Sequence, residues 1–422
     1  MKTRAGYVIR QLADTFYIIP TGQRIADRRR CLKINQTGCV IWDLLQKDLS
    51  WEELLSAYTE YVKSIEMTEN TKTVKPASIG EEASTVTAAS ISSDLSTYVL
   101  TLFQFGMIQA SAKEMQVFPF APFQAKGNAY YCCYNIAGIQ VHYKGRKEWL
   151  HAFFEPFLED GKENPSAHMV KQSGISQSWH VRPLSDVPEI AGELLLFGSQ
   201  LDVYRCSGDY MLRFPSNHHL VLCTLSFDGK EAVFYYDGST QQEAVDELFY
   251  GFRAAFFYLA ALHGKYALHS ASNYYQEKAW LYSASSGTGK TTHVKLWEKL
   301  YAVPVLNGDL NLLGMEKDEV FVYGIPWCGT SGVYTTKKYP LGGIILLKRG
   351  TENRVCKLPQ DERQLYTAQR MISPAWTEKQ VDDSLLFAEK LSDRIPIRQL
   401  YCTQEPSAAA VMKEYIDKYL TI

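Results

Sequence analysis

This 422-residue chain is short of net charge, of paired cysteines and of long apolar runs. Lysine and arginine number 44 against 46 aspartate and glutamate, which leaves a formal net charge of −2. That balance argues against a broad electrostatic grip on nucleic acid and leaves open a local basic patch; no nucleic-acid partner is expected. The nine cysteines are an odd number with no C-x-x-C pair; Cys132 and Cys133 are adjacent and the rest are scattered. The spacing argues against a disulfide framework and a zinc site, and a reducing cytoplasm is the expected location. The first residues, MKTRAGYVIRQ, hold no apolar core of signal-peptide length. The longest apolar stretch, Leu248 to Leu262, is interrupted by Arg253 and is too short to cross a bilayer. It reads as a buried helix, and no membrane contact is expected.

What is present is an ordinary globular composition, 46% hydrophobic and 21% charged, in a chain too long for one hydrophobic core. Two or three domains are expected. The most telling stretch is Leu281-Tyr282-Ser283-Ala284-Ser285-Ser286-Gly287-Thr288-Gly289-Lys290-Thr291-Thr292. It reads as a strand end, a glycine-rich loop and a helix start. Gly287 and Gly289 take backbone angles that turn successive N–H groups toward an anion, with Ser286 and Thr288 between and beside them. Lys290 adds a point charge for the β- and γ-phosphates of ATP, Thr291 offers a hydroxyl to Mg²⁺, and Thr292 continues the turn. The helix that follows directs its positive end at the same anion. The usual first glycine of such a loop is Ala284 here.

The chain divides by pattern into three regions. Residues 1–112 form a small unit. Tyr17 to Pro20 ends a strand, and Val40, Ile41, Leu44 and Leu45 make an apolar stripe at helical spacing. Ser50-Trp51-Glu52-Glu53 is a capping box opening a helix from Trp51 to about Val62. Residues 64–93, rich in Thr, Ser, Ala and Glu, read as a flexible insert. A third helix over about Ser93 to Phe105 stops at Gly106, and a short strand, Met107 to Gln109, follows. Residues 113–265 are a β-rich region. Its strands are expected at Ala129 to Val141, Leu194 to Phe197, Tyr210 to Phe214, Leu220 to Phe227 and Ala232 to Tyr236. Hairpin-type turns fall at Asp228-Gly229 and Asp237-Gly238, and a long helix runs from Gln241 to Leu262. Residues 266–422 alternate strand and helix, as an α/β core with a mixed sheet does. The strands expected there are Tyr266–Ser272, Ala279–Tyr282, Val303–Leu306, Val320–Tyr323, Gly343–Leu347 and Ile397–Cys402. The helices are Lys290–Leu300, Asp361–Ile372, Val381–Leu391 and Ala408–Tyr419.

A phosphate loop needs a carboxylate to hold Mg²⁺ or take a proton. Asp309 is the candidate, at the C-terminal end of the strand Val303–Leu306, where ligands sit in α/β sheets. Asn307-Gly308-Asp309 is equally a turn composition. His269 ends the strand before the loop. It either orients the acceptor hydroxyl and pairs with Asp309 or is a satisfied structural residue. Tyr323-Gly324-Ile325-Pro326-Trp327-Cys328-Gly329-Thr330-Ser331-Gly332 reads as a constrained loop. Either Trp327 offers an aromatic face there, with Lys337 and Lys338 approaching an anionic substrate, or a buried Trp closes a hairpin. Lys348-Arg349 follow a strand end and either touch phosphate or are solvated. Arg28-Arg29-Arg30 is the best support for DNA binding, and reads equally as a solvated face.

Asn35-x-Thr37-Gly38-x-x-Ile41-Trp42-x-x-Leu45 resembles the signature of the PqqD-like family of leader-peptide recognition domains. The resemblance implies a winged-helix-like module that binds peptide by adding a strand to its own sheet. Ser286-Gly287-Thr288-Gly289-Lys290-Thr291 is similar to the phosphate loop of HPr kinase and of ATP-dependent phosphoenolpyruvate carboxykinase. His269 upstream, the short distance to Asp309 and the Gly324–Trp327 loop resemble the HPr-kinase-like serine kinases found beside peptide-modification systems. HPr kinase has two adjacent aspartates where this chain has Gly308-Asp309, and its following glutamate-bearing signature is missing here. The proton acceptor is thus left open: either Asp309 takes the proton, or Asp309 is a metal ligand only and His269 or a water takes it; HPr itself is not the expected substrate. Together the resemblances imply a multidomain α+β chain that transfers phosphate from ATP, with Mg²⁺, to a serine-type hydroxyl on a ribosomally made peptide. A precursor or leader peptide, and other peptide-modifying enzymes, are the implied partners. The alternatives are a non-catalytic ATP-binding peptide scaffold, a carboxykinase and a winged-helix regulator.

Overall fold

The computed structural model describes residues 1–3, 7–12, 15–20, 32–70, 88–104, 107–109, 130–159, 174–284 and 288–419. Internal contacts divide the chain into two units. One is Met1–Asn128, Val181–Thr224 and Val233–Leu248; the other is Ala129–His180, Leu225–Ala232 and Phe249–Ile422. Part of the expected middle region therefore falls in the first unit. The chain mixes helices with large sheets, as an α+β reading requires.

The first unit begins with β1 (Lys2–Thr3), β2 (Tyr7–Leu12), β3 (Thr15–Pro20) and β4 (Leu32–Ile34). There follow α1 (Gln36–Leu45), α2 (Trp51–Asn70), α3 (Ala88–Gln104) and β5 (Ile108–Gln109). β2, β3 and β4 form an antiparallel sheet in that order, and β1 pairs with β5. Asn35 caps α1 by accepting from the Gly38 amide at 2.8 Å. The buried stripe of α1 is Gly38, Ile41, Trp42 and Leu45. Val40 and Leu44 stand to its side, because the i, i+3, i+4, i+7 repeat starts from Gly38. The Ser50–Glu53 capping box forms as expected, with Ser50 N–H donating to Glu53 Oε2 at 2.8 Å and Glu53 N–H to Ser50 Oγ at 3.3 Å.

The insert expected over 64–93 is helical at both ends. α2 runs on to Asn70 and α3 starts at Ala88. Ala, Ser and Glu are compatible with helix when neighbouring turns are already formed. Residues 71–87, Arg28-Arg29-Arg30, Phe105 and Gly106 lie outside the described residues. Trp42, Leu45, Trp51, Leu54, Leu95 and Val99 make the core, which also takes in Tyr204, Met211, Val221 and Leu222 of the same unit.

The next elements are β6 (Tyr130–Ile136), β7 (Ile139–Gly145), β8 (Ser176–Pro183), β9 (Glu193–Leu196), β10 (Asp202–Arg205), β11 (Asp209–Arg213), β12 (Leu220–Ser226), β13 (Glu231–Tyr236) and α4 (Gln242–Leu262). The single strand expected over Ala129 to Val141 is a hairpin. Ala137 and Gly138 both take positive φ, 55° and 78°, and Asn135 Oδ1 accepts from the Gly138 amide. Ala-Gly is not a usual turn pair, so the apolar run hid the break. Asp237-Gly238 joins β13 to α4 rather than closing a hairpin; Asp237 Oδ1 takes the Ser239 amide at 2.8 Å, which starts the approach to the helix.

The remainder of the second unit comprises β14 (Tyr266–Tyr275), β15 (Lys278–Ser283), α5 (Lys290–Tyr301), β16 (Val305–Asn307), β17 (Leu310–Glu316), β18 (Glu319–Tyr323), β19 (Lys338–Arg349), β20 (Arg354–Lys357), α6 (Gln360–Ala368), α7 (Glu378–Arg394), β21 (Ile397–Cys402) and α8 (Ser407–Tyr419). β14 pairs with β15 and β17, β17 with β18, β18 with β19, and β19 returns in parallel to β15, closing a five-strand ring. β21 and then β20 extend from β19.

Alternation along β15 sends Ala279 and Leu281 to one core, with Phe387 and Leu391 of α7, and Trp280 and Tyr282 to another. Lys290, His293, Val294 and Trp297 are the buried residues of α5, and Val294 and Trp297 join the second core together with Ala408 and Met412 of α8. The helix expected over Asp361–Ile372 ends at Ala368. Beyond it the backbone bonds to β14, with Ile372 N–H donating to Ala267 O and His269 N–H to Arg370 O, both at 2.8 Å. An open strand edge beside β14 outweighs one more helical turn.

Candidate active site

β15 ends at Ser283, and α5 begins seven residues later, at Lys290. Gly289 caps the helix with φ 114° and ψ 24°. That is left-handed backbone, so a side chain there is strained even where space is open. Thr288 and Gly289 are half-buried, Thr291 and Thr292 are exposed on the first turn, and Ser286 and Gly287 lie outside the described residues. The Lys290 side chain is buried, at 8% exposure. Its ammonium makes no hydrogen bond or ion pair among the described residues. Burial pushes its pKa down, Asp309 pulls it back up, and Arg370 lowers it further. An unpaired ammonium on a buried side chain at a helix N-terminus is a receptor for an anion.

Asp309 sits between β16 and β17. Asn307 Oδ1 accepts from the Asp309 and Leu310 amides at 3.0 and 3.1 Å, which fixes the turn. Beneath it lies a buried polar frame. Asn307 N–H donates to Ser272 Oγ, Ser272 Oγ to Asn311 Oδ1, and Asn311 Nδ2 to the Ser270 carbonyl at 2.6 Å. Ser270 N–H in turn donates to the Asp309 carbonyl, and Ser283 Oγ to the His269 carbonyl. Both ends of the His269–Asp309 pair are thus anchored from below. His269 Nε2 lies 3.2 Å from Asp309 Oδ1. That bond, followed by the charges of His269, Lys290 and Arg253, holds the Asp309 carboxyl below its ordinary range against the opposing effect of burial. Asp309 is therefore ionised at neutral pH.

The loop after β18 packs directly on this aspartate. A Cβ on Gly329 would lie 2.8 Å from Asp309 Cβ, and Gly329 has φ 60°. A Cβ on Gly308 would meet Ser331 Oγ at 2.2 Å. Trp327 is fully buried and donates from Nε1 to the Phe249 carbonyl at 3.0 Å. It holds the loop to α4, and the face that a substrate would need is covered by Phe256 and Phe257. Lys338 is committed to Glu316 at 2.6 Å.

Of the expected site residues, the structure brings Lys290, His269 and Asp309 into one electrostatic group. It shows no contact of Thr291 with Asp309. Lys348 and Arg349 line a cavity of about 770 Å³ together with Ser283, Thr288, Arg370 and Tyr401. Two residues escaped the sequence reading, Asn307 and Arg253. Arg253 had a visible signal, a charge inside the apolar run of α4; Asn307 was hidden in a turn composition.

Among the described residues, no three His, Cys, Asp or Glu side chains gather as a metal-ligand set, no helix is long and apolar enough to cross a membrane, and the eight cysteines form no disulfide. An ionised Asp309 and an exposed Thr291 hydroxyl are hard oxygen donors of the kind that hold Mg²⁺ when phosphate oxygens and water complete the shell. The residues fit that ion in donor chemistry.

No family model matches the chain, and no curated protein matches it. Among solved structures, it is similar to the Hpr(Ser) kinase/phosphatase from Coxiella burnetii, with 7% identity over 37% of this chain and 94% of that one, at a TM-score of 0.23. A likeness that low carries no argument, so the functional reading stands on the site itself.

Proposed function

We propose that the second unit is an ATP- and Mg²⁺-dependent phosphotransferase acting on a serine-type hydroxyl of a ribosomally made peptide, and that the amino-terminal elements capture the peptide's leader. The observation that carries the first half is Lys290, a buried lysine at the N-terminus of α5 whose ammonium has no partner among the described residues, grouped with the ionised Asp309 and its neighbour His269. Phosphoryl transfer asks mainly for positioning and neutralisation of charge. Lys290 and the first-turn amides of α5 bind the β- and γ-phosphates. Thr291 and Asp309 would hold Mg²⁺, which supplies further neutralisation of the phosphate oxygens. His269 and Asp309 orient the acceptor hydroxyl and receive its proton. The polar cavity beside Thr288 leaves room for the nucleoside.

The peptide half rests on the PqqD-like residues Asn35, Thr37, Gly38, Ile41, Trp42 and Leu45 and on the three-strand sheet β2-β3-β4, whose outer strands suit strand addition. Holding the leader on the same chain raises the local concentration of the acceptor. The test is mass spectrometry of a candidate precursor peptide after incubation with ATP and Mg²⁺. Gain of one phosphate on a hydroxyl residue, lost with Lys290→Ala, supports the reading. Tight ATP binding with no transfer to any peptide would instead favour a scaffold.

A further inference from the structure

Arg253 stands in the middle of α4, in the run Leu248-Phe249-Tyr250-Gly251-Phe252-Arg253-Ala254-Ala255-Phe256. The side chain is half-buried, and a guanidinium there is costly unless something binds it, because its donors lose part of their water without regaining partners. Its guanidinium carbon lies 4.8 Å from the centre of the Tyr250 ring. It makes no hydrogen bond and no ion pair among the described residues. Burial lowers its pKa, and Tyr250 and then Asp309 oppose the shift, so the charge feels the aspartate without touching it.

The fold explains how α4 reaches the site. Phe249, one turn before Arg253 on the same helix face, accepts from Trp327 Nε1, and Trp327 begins the segment whose Gly329 lies against Asp309. The site therefore holds two cations with open donors, Lys290 and Arg253, around one ionised carboxylate. Protein groups leave that positive surplus unmatched, and a phosphoryl group carries the charge that would match it.

We propose that Arg253 is a catalytic residue, whose guanidinium binds the non-bridging oxygens of the phosphoryl group during transfer. This rests on the phosphotransferase reading above. In the step, the acceptor oxygen bonds to the γ-phosphorus as the bond from that phosphorus to the bridging oxygen breaks. ADP leaves with the bonding electrons, and the acceptor proton passes to the His269–Asp309 pair. Arg253 offsets the charge on the oxygens in flight, and its planar fork suits them better than an ammonium would.

The test compares ATP and ADP binding by calorimetry, with transfer rate and thermal stability, in the wild-type chain, Arg253→Met, Arg253→Lys and Lys290→Ala. Arg253→Met should lose the preference for ATP over ADP, keep ADP affinity, and lower kcat by about 10³-fold. Its Tm should hold or rise, since a half-buried cation without a partner among the described residues has been removed. Arg253→Lys should fold as the wild type does and recover only part of the rate. An Arg253→Met or Arg253→Lys enzyme that keeps both its rate and its ATP preference overturns the inference alone. So does an Arg253→Met chain with a lowered Tm and unchanged preference, which would mark a structural role. A wild-type chain that binds neither nucleotide overturns the phosphotransferase reading and this inference together.

Discussion

His269 Nε2 and Asp309 Oδ1 lie 3.2 Å apart although 40 residues separate them in sequence. β14 and β17 bring them together, with His269 opposite Leu310 in the antiparallel register. The pairing gives the aspartate an oriented partner and keeps it ionised. Asp309→Asn should therefore cost about 10²- to 10⁴-fold in kcat with little change in ATP affinity, measured by initial rates and nucleotide titration. A larger loss in affinity than in rate would assign Asp309 to ground-state binding.

Lys290→Ala should abolish transfer while leaving leader-peptide binding nearly intact. Fluorescence anisotropy of a labelled leader and a parallel transfer assay read the two separately. Equal loss of both would contradict separate roles for the two halves of the chain.

Gly329→Ala places a methyl group 2.8 Å from Asp309 Cβ, at a position with φ 60°. The left-handed backbone alone costs about 1 kcal/mol or more. Both effects converge on the aspartate, so the variant should melt slightly below the wild type and lose far more activity than that drop accounts for. A variant with full activity would mean that the loop does not confine Asp309.

Asn307→Ala removes the acceptor of the Asp309 and Leu310 amides, in a turn where Leu310 is buried. The expected cost is about 1–3 kcal/mol in urea unfolding, with loss of activity. A neutral result would show that water replaces the side chain.

His293, on the buried face of α5, has its pKa pushed down to about 4 by burial, and it accepts from Trp297 Nε1 at 3.2 Å. The folded state disfavours its protonation, so its contribution is fully present above the unfolded value of about 6.5 and is lost as pH falls toward 4. The loss is at most about 3 kcal/mol. Melting curves across that window should show it, and His293→Gln, which offers an acceptor that does not titrate there, should flatten the slope. An unchanged slope would assign acid sensitivity to other groups.

The helix start at Gly289-Lys290 was readable because the glycine requirement of a left-handed cap is local and steep. Asp309 was readable as a strand-end residue, whereas His269, expected to end its strand, lies inside β14, which runs on to Tyr275; their contact depends on register, which a single sequence does not display. The hairpin at Ala137-Gly138 was missed because its turn pair lacks the usual Asn-Gly or Asp-Gly mark. β17 was missed because Leu310-Asn311-Leu312-Leu313 does not alternate; both faces are covered and Asn311 is buried to serve the polar frame. Trp327 was correctly placed in a constrained loop, but its partner on α4 lies 78 residues away. Arg253 was seen only as an interruption of apolar sequence, since its value comes from what α4 packs beside.

The most direct test of the account is a crystal structure of the chain with Mg²⁺ and a non-hydrolysable ATP analogue. The account predicts the β- and γ-phosphates against Lys290 and the first turn of α5, with the γ-phosphate within reach of Arg253 and the His269–Asp309 pair. A Lys290 side chain turned away from the nucleotide, or phosphates bound elsewhere, would contradict it.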